Sequence, residues 1–134
     1  MLNSERIGNE FYQNLGKLFY AVAMSDNTVR PAEIERVRKY VRQYWLDVDP
    51  VEDEFQTDAA YQIETVFDWL DEEEKDGTEY FEEFKDFYKD HPEKFTQELK
   101  ALILETAESI ASSFAGKNRS EMMVLMKLEH LFAL

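Results

Sequence analysis

Asp26, Glu33 and Glu121 are the residues of this 134-residue chain whose types and spacing could do chemistry. Brought together by two loops packed side by side, their carboxylate oxygens would make a site for a hard cation, Ca²⁺ or Mg²⁺. The competing reading is capping. Pro31 suits the first position of a helix, which puts Glu33 at the third, and Asn118 as a cap residue puts Glu121 at the third position of another. A Glu there accepts from the cap N–H and complements the helix dipole without any metal. Asn27 suits a tight turn that needs left-handed backbone. An EF-hand fails because Val22 and Met24 stand where oxygen ligands are required. Asp47-Val48-Asp49 and Glu52-Asp53-Glu54 would also attract a cation, but they lack the glycine of a sharp binding turn and read as solvated loop.

Catalytic inventory is thin. The chain has no cysteine, which removes thiolate nucleophiles, disulfides and thiolate metal sites together. His91 precedes a proline at a helix break, and His130 falls near the end of the last helix, where it complements the dipole. Neither has an obvious nucleophile beside it, and no Glu-x-x-His pair of a di-iron bundle occurs. A non-enzymatic module is expected, with an undetected hydrolase as the remote alternative.

The elements that must position these residues read as helices. Ile7, Phe11, Leu15, Leu18, Phe19 and Val22 form one stripe that stops at Ser25-Asp26-Asn27-Thr28. A second helix runs from Pro31 through Ile34, Val37, Val41 and Tyr44 to about Trp45. Thr57-Asp58 can cap a third with Tyr61, Val66, Phe67 and Leu70, and Thr78 a fourth with Phe81, Phe84 and Tyr88. Pro92 can begin a fifth, carrying Phe95, Leu99, Leu102, Ile103, Ile110 and Phe114. The last shows Met122, Leu125, Met126, Leu128 and Phe132. Of the aromatic cluster Phe81, Phe84, Phe87 and Tyr88, helical spacing assigns most to core, with Phe87 in surplus and a peptide groove as the alternative. No alternating strand of convincing length occurs, so one all-α domain over residues 1–134 is expected, a compact bundle of six to seven helices.

An internal echo at a spacing of 88 residues organises the ends. Leu15, Val22, Ala23, Ser25 and Glu33 map onto Ile103, Ile110, Ala111, Ser113 and Glu121, and Ile34, Val37 and Tyr44 onto Met122, Leu125 and Phe132. Both copies read as helix, small-residue end, loop, acidic helix start and apolar stripe, giving two pseudo-repeated hairpins around a divergent middle.

Charge narrows the partners. Twenty-nine acidic against 15 basic residues give a net charge of −14, which repels phosphate backbones, so nucleic acid is not expected. The field favours cations or a basic protein partner, unless it serves solubility alone. No segment reaches the length of a membrane span and no signal-peptide pattern opens the chain. Cytoplasmic location is expected, with membrane association only peripheral and through partners.

The run from Leu15 to Glu33 resembles the tellurite-resistance TerB family and its wider TerB-like superfamily, whose pattern is A-x-[AS]-D-[GN]-x-[VI]-x-x-x-E. Ala23, Ser25, Asp26, Asn27, Val29 and Glu33 fit it in turn. The second copy keeps Ala111, Ser113 and Glu121 but has Phe114 where the loop Asp should be. The resemblance covers both ends of the chain and leaves the middle third recognisable only as helical. It implies a compact all-helical stress-associated module, divalent-metal binding in some relatives through loop and helix-start carboxylates, and roles in tellurite resistance and phage defence at the cytoplasmic side of the membrane. With Phe114 in place of the second loop carboxylate, weak metal binding or none is expected. The alternative is an acidic protein-interaction adaptor without metal.

Overall fold

Leu18 to Ala23 are buried without a break. A helix apolar on every side has to be surrounded, and that requirement sets the architecture. The run ends α1 (Leu2–Ala23), which lies at the centre against α4 (Gln62–Glu72), α5 (Gly77–Asp90), α6 (Gln97–Ser112) and α7 (Arg119–Ala133). The single stripe read from sequence is therefore too narrow a description of α1. α2 (Pro31–Tyr40) packs on α6 and continues through a π turn (Val41–Trp45) into a short α3 (Leu46–Val48). The computed structural model describes residues 2–48, 59–113 and 118–133, with side chains from residue 8 onward. Those residues form an all-α bundle with six helices of ten or more residues and no strand.

Close approach of α1 and α4 depends on Gly16. A Cβ at that position would stand 2.8 Å from the Ile63 carbonyl oxygen and 2.9 Å from Val66 Cβ. Tyr20 ties α1 to the turn before α5, its hydroxyl donating to the Lys75 carbonyl. Burial, then the nearby Asp71 charge, pushes that phenol up to about 12, so it stays a neutral donor.

Several boundaries differ from the sequence expectation. Asp76, not Thr78, caps α5, its carboxylate accepting from the Thr78 N–H at 3.0 Å. Pro92 begins only a 3₁₀ turn (Pro92–Lys94), and α6 starts at Gln97, capped by the Thr96 hydroxyl. Phe95 thus lies in the connection, where its ring meets those of Phe11, Phe84, Phe87, Tyr88 and Phe132. Phe87 is not surplus, being buried between Phe95 and His91. The Thr57-Asp58 cap and Phe114 lie outside the described residues.

The π turn has the largest consequence. An i to i+5 bond pattern fits an extra residue into the turn, so the apolar series Val37, Val41 is continued by Trp45 and not by Tyr44. Trp45 is fully buried, whereas Tyr44 is 43% exposed. The indole Nε1 donates to Thr106 Oγ1 on α6 at 3.1 Å, and that hydroxyl donates in turn to the Leu102 carbonyl.

Equivalent residues of the 88-residue echo make equivalent bonds. Ser25 Oγ donates to the Val22 carbonyl at 2.8 Å, and Ser113 Oγ to the Ile110 carbonyl at the same distance. Ala23 and Ala111 are both buried, as are Val37 and Leu125. The match fails at Tyr44, exposed where Phe132 is buried, and at Met122, which is half exposed. Met126 is exposed as well, and Leu131 takes its place in the α7 stripe. No helix among the described residues is long and apolar enough to cross a membrane.

Candidate functional site

The loop after α1 turns at Asn27, which adopts φ 67°, the left-handed backbone that Asn tolerates. Asp26 holds that turn: its Oδ1 accepts from the Thr28 N–H at 3.2 Å. Oδ2 accepts from Arg30 Nη1 at 2.7 Å and from Asn118 Nδ2, across the loops, at 2.9 Å. Burial pushes the Asp26 carboxyl up, but the Arg30, Thr28 and Asn118 donors outweigh it and hold the group below its ordinary value.

The two helix starts are built alike. Glu33 Oε1 accepts from the Arg30 N–H at 2.7 Å, and Glu121 Oε1 from the Asn118 N–H at 3.0 Å. Asn118 Oδ1 completes the second capping box by accepting from the Glu121 N–H at 2.9 Å. Both glutamates are buried, 1% and 3% exposed, and the Glu121 carboxyl lies near enough to Glu33 to raise it. Burial first, and then the neighbouring Glu121, pushes Glu33 up to about 7 against the pull of the Arg30 N–H. A buried carboxyl beside a second one keeps its proton to higher pH than it would in water.

Asp26, Glu33 and Glu121 thus meet at one junction, joined through Asn118. Their oxygens already accept from backbone and side-chain N–H donors and a guanidinium, whereas Ca²⁺ needs six to eight oxygen ligands. Among the described residues no group of three His, Cys, Asp or Glu side chains is arranged to hold a metal ion. In this form the junction is a double cap.

The other sequence candidates disperse. Asp47 is exposed at the end of the α2–α3 arm, and Glu52 to Glu54 lie outside the described residues. His91 ends α5 with its ring 4.9 Å from that of Phe87. His130 lies on α7 and faces a groove that Phe81 of the α5 aromatic cluster also lines.

That groove, about 570 Å³, runs between α5 and α7, with the end of α1 as its floor. Its apolar surface comes from Ala21, Met24, Phe81, Met123, Val124 and Leu131, and its walls carry Lys85 and Lys89 on α5 and Lys127 on α7. Phe81, rather than Phe87, is the aromatic of the α5 cluster that reaches this surface. The signal in the sequence was the close trio Met122, Met123 and Met126, which the periodicity reading assigned in part to the core. In comparisons with known proteins, no family model, no curated protein and no solved structure matches this chain.

Proposed function

We propose that this protein is a non-enzymatic, TerB-like adaptor that acts in the cytoplasm by docking a protein partner in the groove between α5 and α7. The observation that carries the reading is the groove's continuity with exposed methionines. Met122, Met123 and Met126 are 51%, 55% and 66% exposed, and at 100° per residue Met126 falls between the other two on the helix surface. Three large apolar side chains side by side in water form a surface suited to contact, and methionine adapts to varied partners. The test is partner capture from cells by the wild type and by Met123→Glu/Met126→Glu, alongside a broad ester and phosphoester panel. Loss of a stoichiometric partner in the variant supports docking. Turnover abolished by a single carboxylate substitution would replace it with the hydrolase reading.

A second reading is a divalent cation at Asp26, Glu33 and Glu121, favoured by the meeting of the two buried glutamates. Ca²⁺ or Mg²⁺ would compete there with the proton on Glu33 and with Arg30. Calorimetric titration of chelator-treated protein above pH 7, repeated with Glu33→Gln, tests it. Heat that vanishes with the substitution supports the cation, and no heat from either ion removes it.

A further inference from the structure

Charge on this molecule is unevenly spread, and the groove departs from the rest. Against a net −14 for the chain, its walls carry Lys85, Lys89, Lys127 and His130, with only Asp76 and Glu82 as acidic neighbours. Asp76 is already committed to the α5 cap. Among the described residues, Lys85, Lys89 and Lys127 have no carboxylate within ion-pair distance, as is also true of Lys39, Lys75, Lys94 and Lys100, so what sets the three apart is that they line one cavity. Three ammonium groups thus flank an apolar floor in a protein with an excess of carboxylates.

Geometry selects the form of the occupant. Lys85 and Lys89 lie one turn apart on α5 and face the groove from one side, and Lys127 faces it from the other. Between them lie Phe81, Met123 and Val124. The walls are helices, with no strand edge to accept an added strand, so a partner backbone laid there has to satisfy its own N–H and C=O groups. A helix does so. The apolar surface also continues past the groove over Met122 and Met126, farther than a small carboxylate enclosed in the cavity would reach.

We infer that the occupant is an acidic amphipathic helix of a partner protein, with its apolar face on Phe81, Met123 and Val124 and flanking carboxylates on Lys85, Lys89 and Lys127. This rests on the docking reading above and reverses the basic partner that net charge alone suggests. Opposite charge on the rim would steer encounter and set orientation, while the apolar face supplies most of the affinity.

The test uses a labelled synthetic helix of about sixteen residues, with leucines at i, i+3, i+4 and i+7 and glutamates along both flanks. A control peptide carries lysine at every glutamate, and binding is read by fluorescence anisotropy. The inference expects the glutamate peptide to bind more tightly than the lysine peptide and to weaken as salt rises from about 20 mM to about 300 mM. Lys85→Glu/Lys127→Glu should weaken the glutamate peptide about tenfold and improve the lysine peptide, while Lys94→Glu, outside the groove, should leave both unchanged. Both wall lysines are unpaired, and a thermal melt confirms that the variant folds. Tighter binding of the lysine peptide, lost in Met123→Asp, would overturn the acidic partner and leave the docking surface standing. Binding of neither peptide, or indifference to the charge reversal, would overturn the inference, and partner capture by the methionine variants would then judge the docking reading separately.

Discussion

Trp45 and Thr106, 61 residues apart, meet in the core through a 3.1 Å hydrogen bond from indole Nε1 to the threonine hydroxyl. Thr106→Val keeps the shape but strands a buried N–H, which costs about 1–3 kcal/mol. Trp45→Phe removes the donor and leaves a cavity. The double variant should therefore lose less than the sum of the singles in urea unfolding, because the stranded donor is gone. Strict additivity would show that the bond contributes nothing.

Gly16 and Gly8 give a contrast on one helix. Gly16→Ala presses a methyl against the Ile63 carbonyl and Val66, and should destabilise by about 1–3 kcal/mol. Gly8→Ala meets nothing within 4 Å and should stabilise by about 0.5–1 kcal/mol through helix propensity. Thermal melts of the two variants should move in opposite directions.

The raised Glu33 carboxyl gives stability a pH dependence of definite sign. Glu33 is held at about 7 in the fold against 4.5 for the free group. Below 4.5 both states are protonated and nothing is lost. Between those values the unfolded chain ionises while the fold keeps its proton, so stability falls by up to about 1.4 kcal/mol per pH unit and levels off above 7. The total is on the order of 3–4 kcal/mol. Asp26, held low, works the other way, and its contribution disappears as pH falls through the acid range. Urea unfolding at pH 5 and pH 8 should show the wild type losing more stability than Glu33→Gln. Equal losses would mean that Glu33 is ionised throughout.

Ala23 and Ala111 are buried at matching positions of the two hairpins. Replacing either with Asp buries an unpaired carboxylate and should cost several kcal/mol, on the order of 3–5. Silent substitution at both would contradict the paired packing of α1 and α6.

The sequence carried the helices and the meeting of Asp26, Glu33 and Glu121, because capping and periodicity are local and the echo supplied the long-range pairing. It did not carry the π turn. Tyr44 and Trp45 are both aromatic, and the choice between them depends on Thr106 waiting on α6 for an indole N–H. The groove was hidden for a similar reason: methionine at 122 and 126 suits a core as well as a surface. Only the position of α5 relative to α7 decides which side of α7 is covered. Net charge, a sum over the chain, does not reveal where Lys85, Lys89 and Lys127 gather.

The carboxyl contact between Glu33 and Glu121 also joins two local unfolding events. The Arg30 and Asn118 amides each donate to one member of the pair. When either helix start frays, its glutamate swings toward water, and the other loses the neighbour that helps to bury it. Deuterium should therefore enter the Arg30 and Asn118 amides with one common opening free energy. The beginnings of α2 and α7, far apart along the chain, would then breathe as a single unit.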